Sequence, residues 1–161
     1  MQEGFHGAWV HKVDSKGRVS VPADFRRELE AEGVPMALRL VPNMDKEPCI
    51  DGYSLPYLKK IRKKIRRLQP GSAARKNLEH LFGARMEVLP VDPAGRVVLP
   101  AHLREAYAAS GQVAFVGADQ TFQIWAADDW AAECARRDEA ALDDGNPLLG
   151  LDWDDDEEDE L

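Results

Sequence analysis

The chain has 161 residues, enough for one domain or for two small domains that complete each other's core, and 44% of them are hydrophobic, as in ordinary folded proteins. No window approaches the roughly 18 consecutive apolar residues of a membrane-spanning helix, so we expect no membrane protein. The formal net charge of −8 would argue against a nucleic-acid partner, but the charge is unevenly distributed along the chain. Residues 1–82 contain 16 Lys and Arg and 10 acids, whereas residues 83–161 contain 5 Arg and 19 acids. This division predicts a basic working surface and a separate acidic element.

The two halves of the chain contain an internal repeat. Residues 13–29 align with residues 91–107, and eight of these 17 positions are identical, where about one identity would be expected by chance. The identical pairs are Val13/Val91, Asp14/Asp92, Gly17/Gly95, Arg18/Arg96, Val19/Val97, Pro22/Pro100, Ala23/Ala101 and Arg26/Arg104. The sequence therefore predicts a duplicated domain.

Each copy begins with the same succession of local signals. An Asp-x-x-Gly turn, at 14–17 and again at 92–95, leads into a short strand whose alternation directs Val19 and Val97 inward and the neighbouring Arg outward. A helix is predicted next, over 23–32 and 101–110, ending at Gly33 and Gly111. Two further strands follow in each copy.

Between the copies, apolar residues recur at helical spacing over 55–68, with Ser54 as a candidate N-cap. Seven of the nine residues from Lys59 to Arg67 are cationic. This run indicates either a solvated helix face or an additional phosphate-contacting surface. A second helix is predicted over 73–82.

The C-terminal residues 138–161 contain 12 acids and no Lys or Arg. Such a segment cannot bury a core, so we expect a disordered tail. The tail either solubilises the protein or mimics phosphate and competes for the basic surface of the same chain.

The duplicated hairpin also carries a family resemblance. Residues 5–26 (Phe-His-Gly followed by DSKGRVSVPADFR) resemble the first signature of the MraZ family, and residues 82–100 (Phe-Gly followed by DPAGRVVLP) with 122–130 resemble the second. The resemblance implies an α+β, mainly β fold in which two AbrB-like units swap hairpins into one compact β-barrel. The corresponding boundaries are an AbrB-like repeat 1 over 5–56, a helical linker over 57–82, repeat 2 over 83–137 and the acidic tail over 138–161.

The resemblance further implies which residues face DNA. The AbrB-type DNA surface maps onto six cations, with Lys16 and Arg18 as primary contacts and Arg96 as a weaker one. The six are Lys12, Lys16, Arg18, Arg26, Arg27 and Arg96, with His11 as the alternative to Lys12. For Arg26, a structural role in the helix remains equally open. Arg suits these positions because its guanidinium can bind guanine edges or phosphates with two hydrogen bonds.

The expected function is sequence-specific binding of double-stranded DNA at promoter-proximal direct repeats, with regulation, as a repressor, of a cell-division and cell-wall gene cluster. The resemblance also implies a homo-oligomeric ring, in the cytoplasm and associated with the nucleoid. We expect no cofactor, no small-molecule substrate and no catalysis, because the four histidines are scattered and no phosphate-binding loop or metal spacing occurs. The alternative is an antitoxin-like protein-interaction module of the same fold.

Overall fold

The computed structural model of the chain describes residues 3–154. The first repeat contains β1 (Ala8–Lys12), β2 (Arg18–Ser20), α1 (Ala23–Glu30), β3 (Ala37–Pro42) and β4 (Cys49–Tyr53). The linker forms α2 (Leu55–Arg66), α3 (Ala73–Glu79) and a π-helical turn (His80–Ala84). The second repeat contains β5 (Glu87–Pro90), β6 (Arg96–Val98), α4 (Ala101–Tyr107), β7 (Gln112–Ala118), β8 (Thr121–Ala126) and α5 (Ala127–Ala141), followed by a 3₁₀ turn (Pro147–Gly150).

The two repeats exchange their strands. Six strands form one antiparallel sheet in the order β1-β7-β8-β4-β3-β5, so β1 of the first repeat pairs with β7 of the second, and β5 of the second pairs with β3 of the first. Strands β2 and β6 pair with each other as a separate antiparallel ribbon, which packs beside the edge strands β1 and β5. The expectation of a mainly β, α+β fold built from swapped repeats is confirmed.

One hydrophobic core serves both repeats. Val19 and Val97 from the ribbon are each 1% exposed and pack with Phe25 of α1 and with Phe115 and Phe122 of β7 and β8. The aromatic rings meet edge to face, with Phe5 and Phe25 centroids 5.2 Å apart. Since each repeat supplies strands to the other, neither repeat closes this core alone.

The linker helices cover the outer face of the sheet. Ser54 caps α2 as predicted, its hydroxyl accepting a hydrogen bond from the Tyr57 amide at 3.3 Å. Leu58 and Ile65 bury one side of α2 against Tyr53 and Phe82. The apolar positions therefore dock the helix, and its cations face outward. No helix within residues 3–154 is both long enough and apolar enough to cross a membrane.

Several predicted boundaries differ from the structure. Helices α1 and α4 end two and three residues early, because the chain turns into the positive-φ glycines Gly33 and Gly111. The first linker helix begins at Leu55 as predicted, whereas a π-helical turn replaces the end of the second predicted linker helix. Helix α5 continues to Ala141, so the tail expected to be disordered from residue 138 is helical over its first four residues.

The physical cause of the longer α5 lies in its composition and side-chain pairs. Alanines favour a helix at its C-terminal end, and Glu133 forms ion pairs with Arg136 and Arg137. Beyond α5, Asn146 caps the 3₁₀ turn. The remainder of the predicted tail, residues 155–161, lies outside the described residues.

Candidate nucleic-acid interface

The β2–β6 ribbon places the two repeated arginines on one small, pseudo-symmetric element. Val19 lies opposite Val97 at its centre, Arg18 lies opposite Val98, and Ser20 lies opposite Arg96. The valines are buried, whereas both arginines are half-exposed. The ribbon thus turns its apolar side to the core and presents one Arg near each end.

The turn before Arg18 is organised by a single carboxylate. Asp14 Oδ1 accepts hydrogen bonds from the backbone N–H of Lys16 (2.9 Å) and of Arg18 (2.8 Å). Gly17 closes the turn by donating to the Asp14 carbonyl at 3.0 Å, with φ of +81°, a conformation that favours glycine. The hydrogen bond from the Arg18 amide is the main cause that lowers the pKa of Asp14 below its usual value.

The second turn repeats this arrangement. Asp92 Oδ1 accepts from the backbone N–H of Ala94 and of Arg96, both at 2.9 Å, and Gly95 also has φ of +81°. The amide of Arg96 is likewise the main cause that lowers the pKa of Asp92. Both carboxylates are therefore ionised at neutral pH and beside the arginines.

Each carboxylate also orients the guanidinium that follows it. The Nε of Arg18 donates to Asp14 Oδ2 at 2.6 Å. The corresponding Arg96–Asp92 distance is 3.5 Å, which is too long for a normal hydrogen bond, so this pair is looser. Within residues 3–154 the Nη atoms of both arginines form no hydrogen bond to protein. They are available for an outside acceptor.

The two turns are supported across the repeats. The Gly17 carbonyl accepts from the Leu99 amide at 2.8 Å, and the Gly95 carbonyl accepts from the Val21 amide at 2.9 Å. A Cβ on Gly95 would lie 2.5 Å from Arg26 Nη1. Arg26 of the first repeat therefore packs directly on the turn of the second, and the equivalent Arg104 packs on Gly17 in the same way.

This packing bears on Arg26, for which the sequence left two roles open. Its Nε is buried and lacks a hydrogen-bond partner within the described residues. The occurrence of Arg at the equivalent positions 26 and 104 indicates, from the sequence alone, that the two side chains have the same role. The contact with the opposite repeat was not foreseeable, because it depends on the strand exchange.

The other predicted DNA contacts occupy different surroundings. Lys12 is exposed at the end of β1, and Lys16 is exposed within the turn that carries Arg18. Arg27 lies on the exposed side of α1 and forms an ion pair with Asp24. The structure thus joins Lys16 and Arg18 in one turn and joins Arg18 and Arg96 through the ribbon, whereas Arg27 stands apart on a helix.

His11 beside Lys12 has a structural contact. Its Nδ1 forms a hydrogen bond with the Ser20 carbonyl at 2.5 Å, and its ring lies edge-on to Phe115. His11 therefore ties β1 to the ribbon. Across residues 3–154 no group of His, Cys, Asp and Glu side chains is arranged to hold a metal ion.

Comparison with known proteins gives matches over both repeats. The family model described as "MraZ protein, putative antitoxin-like" matches residues 5–77 and 83–145. A protein of Ruegeria sp. (strain TM1040) is 36% identical over 162 residues, covering 94% of this chain and 97% of the relative. One from Ruegeria pomeroyi is 40% identical over 131 residues, 78% of each chain, and one from Rhodospirillum rubrum is 38% identical over 145 residues, 88% of this chain and 91% of the relative. All three relatives are named "Transcriptional regulator MraZ".

Proposed function

The chain belongs to the MraZ family, and on this basis we propose that it is a transcriptional regulator that binds double-stranded DNA sequence-specifically through its β2–β6 ribbon. The observation that carries the proposal is the pair of ribbon arginines beside turn carboxylates: Asp14 holds the Nε of Arg18 by a hydrogen bond, Asp92 lies 3.5 Å from the Nε of Arg96, and within residues 3–154 the Nη atoms of both arginines bond no protein group. An arginine fixed in this way presents two donors in a plane, the arrangement that binds the O6 and N7 atoms of guanine.

The proposed roles of the remaining cations follow from their exposure. Lys16, in the turn, and Lys12, at the end of β1, contact phosphates and set the position of the ribbon on the duplex. Arg27 adds a phosphate contact from α1 when its ion pair with Asp24 breaks and the guanidinium binds a DNA phosphate instead. Arg26 acts chiefly by supporting the second turn, because its guanidinium already packs on Gly95.

The proposal includes an assembly and a target. Identical chains assemble into a ring that binds direct repeats upstream of its own operon, in the cytoplasm at the nucleoid. Because one ring engages several repeats, each bound repeat raises the effective concentration at the next, and weak individual contacts together give strong binding. Repression of a cell-division and cell-wall gene cluster follows if these repeats overlap the promoter. The proposal involves no cofactor and no catalytic step.

Selection of bound DNA tests the proposal. The purified full-length chain is incubated with a random-sequence DNA pool and with fragments of the host genome, and bound DNA is sequenced over successive rounds. We expect enrichment of a short repeated motif, with no enrichment by the double variant Arg18→Ala/Arg96→Ala. The variant Arg85→Ala is the matched control, since it removes an exposed Arg outside the ribbon and outside the proposed DNA contacts, and it should still enrich the motif.

Two results would contradict the proposal. Equal enrichment by the ribbon variant and the wild-type chain would remove the ribbon from the DNA surface. Co-purification of a stoichiometric basic protein, without motif enrichment, would instead support the antitoxin-like alternative, in which the acidic end of the chain binds a partner.

A further inference from the structure

A groove lies in the linker between the two repeats, bordered by α2, α3 and the π-helical turn. It has a volume of about 250 Å³, and Ile65 and Phe82 contribute its apolar floor. Its rim is lined by three arginines, Arg62, Arg66 and Arg75, and by one acid, Glu79. A groove with an apolar floor and cations on its rim is suited to a peptide that carries both apolar side chains and carboxylates.

The helices that form the groove carry an unusual excess of positive charge. Between Asp51 and Glu79 the sequence contains nine Lys and Arg and no acid. Within the described residues, the rim arginine Arg75 pairs with Glu79 at 3.4 Å, whereas neither Arg62 nor Arg66 forms an ion pair. The groove therefore offers at least two cations to an incoming carboxylate.

The C-terminal segment of the chain, residues 142–161, has the complementary composition. Five large apolar side chains of this segment are between 54% and 82% exposed: Leu142, Leu148, Leu149, Leu151 and Trp153. Asp143 and Asp144 follow Leu142, Asp152 and Asp154 flank Trp153, and the acids continue to residue 160 in the sequence. Exposed apolar side chains at this density are typical of interaction segments.

Residues 146–153 of this segment are held in a defined local shape. Asn146 Oδ1 accepts from the Leu148 amide at 3.0 Å, and the indole Nε1 of Trp153 donates to the Leu148 carbonyl at 3.2 Å. These local bonds reduce the entropy lost on docking. Among residues 3–154, the lining of the groove includes no residue of the segment, so both surfaces are uncovered within one chain.

We propose that the α2 groove of one chain binds the acidic and apolar C-terminal segment of a second copy of this chain. Apolar side chains near Trp153 fill the groove over Ile65 and Phe82, and neighbouring aspartates pair with Arg62 and Arg66. The attraction combines apolar burial with opposite charges, so salt weakens it without abolishing it. This inference does not depend on the DNA-binding role of the ribbon.

Photo-crosslinking of the full-length chain tests the proposal. A photoreactive phenylalanine derivative replaces Trp153, and ¹⁵N-labelled chains are mixed with unlabelled chains before irradiation and mass spectrometry. We expect crosslinks from position 153 of one chain to peptides from α2 or from the π-helical turn of the other.

Two charge reversals on α2 form a matched pair. Arg62→Glu/Arg66→Glu alters the groove rim, and Lys63→Glu/Lys64→Glu changes the net charge equally on the same helix but outside the groove. We expect the first to reduce the crosslink about tenfold, the effect of two lost ion pairs, and the second to leave it within about twofold. Equal reductions would show diffuse attraction without a groove site and would overturn the proposal.

A charge reversal on the segment tests the same contact without altering the groove, and therefore stays decisive even if the groove variant folds poorly. Asp152→Lys/Asp154→Lys changes only exposed residues of the segment. It should lose the crosslink to wild-type chains and regain it when mixed with Arg62→Glu/Arg66→Glu chains. The proposal would be overturned if crosslinks formed only within single chains, or if no crosslink reached the groove. It would also be overturned if the wild-type chain gave no such crosslink while Arg62→Glu/Arg66→Glu lost DNA binding, because the groove would then be a nucleic-acid site.

Discussion

The turn at residues 14–18 and the turn at residues 92–96 have the same backbone but different chemistry. In both, an Asp caps two amides, a glycine takes φ of +81°, and the glycine carbonyl is bonded by the other repeat. They differ in that Lys16 is replaced by Ala94 and in that the Arg–Asp pair lengthens from 2.6 to 3.5 Å.

The two repeats therefore share the backbone conformation of the turn more closely than the charges of its side chains. Each turn is part of the packing of the opposite repeat, so its backbone is constrained by the common core. The side chains at the tip have no such constraint. We therefore infer that the first turn is the stronger DNA contact, whereas both turns contribute to folding.

The largest expected effect concerns the equivalent core residues Phe25 and Leu103. Phe25 is fully buried among three aromatic rings, whereas Leu103 is 5% exposed at the margin of the same core. Phe25→Ala should lower the free energy of unfolding by about 3–5 kcal/mol and Leu103→Ala by roughly 2–3 kcal/mol. Urea denaturation followed by circular dichroism measures both. A smaller loss for Phe25→Ala than for Leu103→Ala would contradict the central position of Phe25 among the aromatic rings of the core.

The two turn glycines give the next largest effect. A Cβ on Gly17 would lie 2.9 Å from the Leu99 carbonyl oxygen, which is backbone, whereas the closest atoms to a Cβ on Gly95 belong to the flexible Arg26 side chain. Gly17→Ala should therefore destabilise by about 2–3 kcal/mol and Gly95→Ala by about 1–2 kcal/mol. Thermal unfolding of the two variants decides this. The reverse order would mean that Arg26 is the more rigid neighbour.

Exchange of the turn cation should alter the salt dependence of DNA binding. Lys16→Ala should reduce the slope of log affinity against log salt by about one, and Ala94→Lys should increase it by a similar amount. Titrations at several salt concentrations give both slopes. An unchanged slope for Lys16→Ala would remove Lys16 from the phosphate contacts.

The smallest effect is the pH dependence of the two turn carboxylates. Hydrogen bonds from the following amides lower the pKa of Asp14 and Asp92 in the folded state, so their stabilisation is present above the unfolded value of 3.8 and is lost as the pH falls through the folded value. Asp14→Ala and Asp92→Ala should each lower the Tm at pH 7. This deficit should shrink at pH 3, and a deficit independent of pH would contradict the assignment.

The sequence predicts the parts of this structure that depend on local residues. The Asp-x-x-Gly-Arg repeat predicts both turns and the outward arginines, and Ser54 with the apolar spacing predicts α2. The packing of Arg26 on Gly95 could not be predicted, because it arises only when strands are exchanged between repeats. The acidic composition from residue 138 onward predicts disorder, but the helical preference of the alanines extends α5 through Ala141.

We propose that Arg18 and Arg96 contact DNA bases from one ribbon and that Arg18 contributes more to affinity. The affinities of Arg18→Ala, Arg96→Ala and the double variant for the selected DNA test this directly, at one salt concentration and with unchanged circular dichroism. We expect a loss of binding free energy of about 1–3 kcal/mol per ribbon for Arg18→Ala, a smaller loss for Arg96→Ala and the greatest loss for the double variant. Wild-type affinity in the double variant would contradict it.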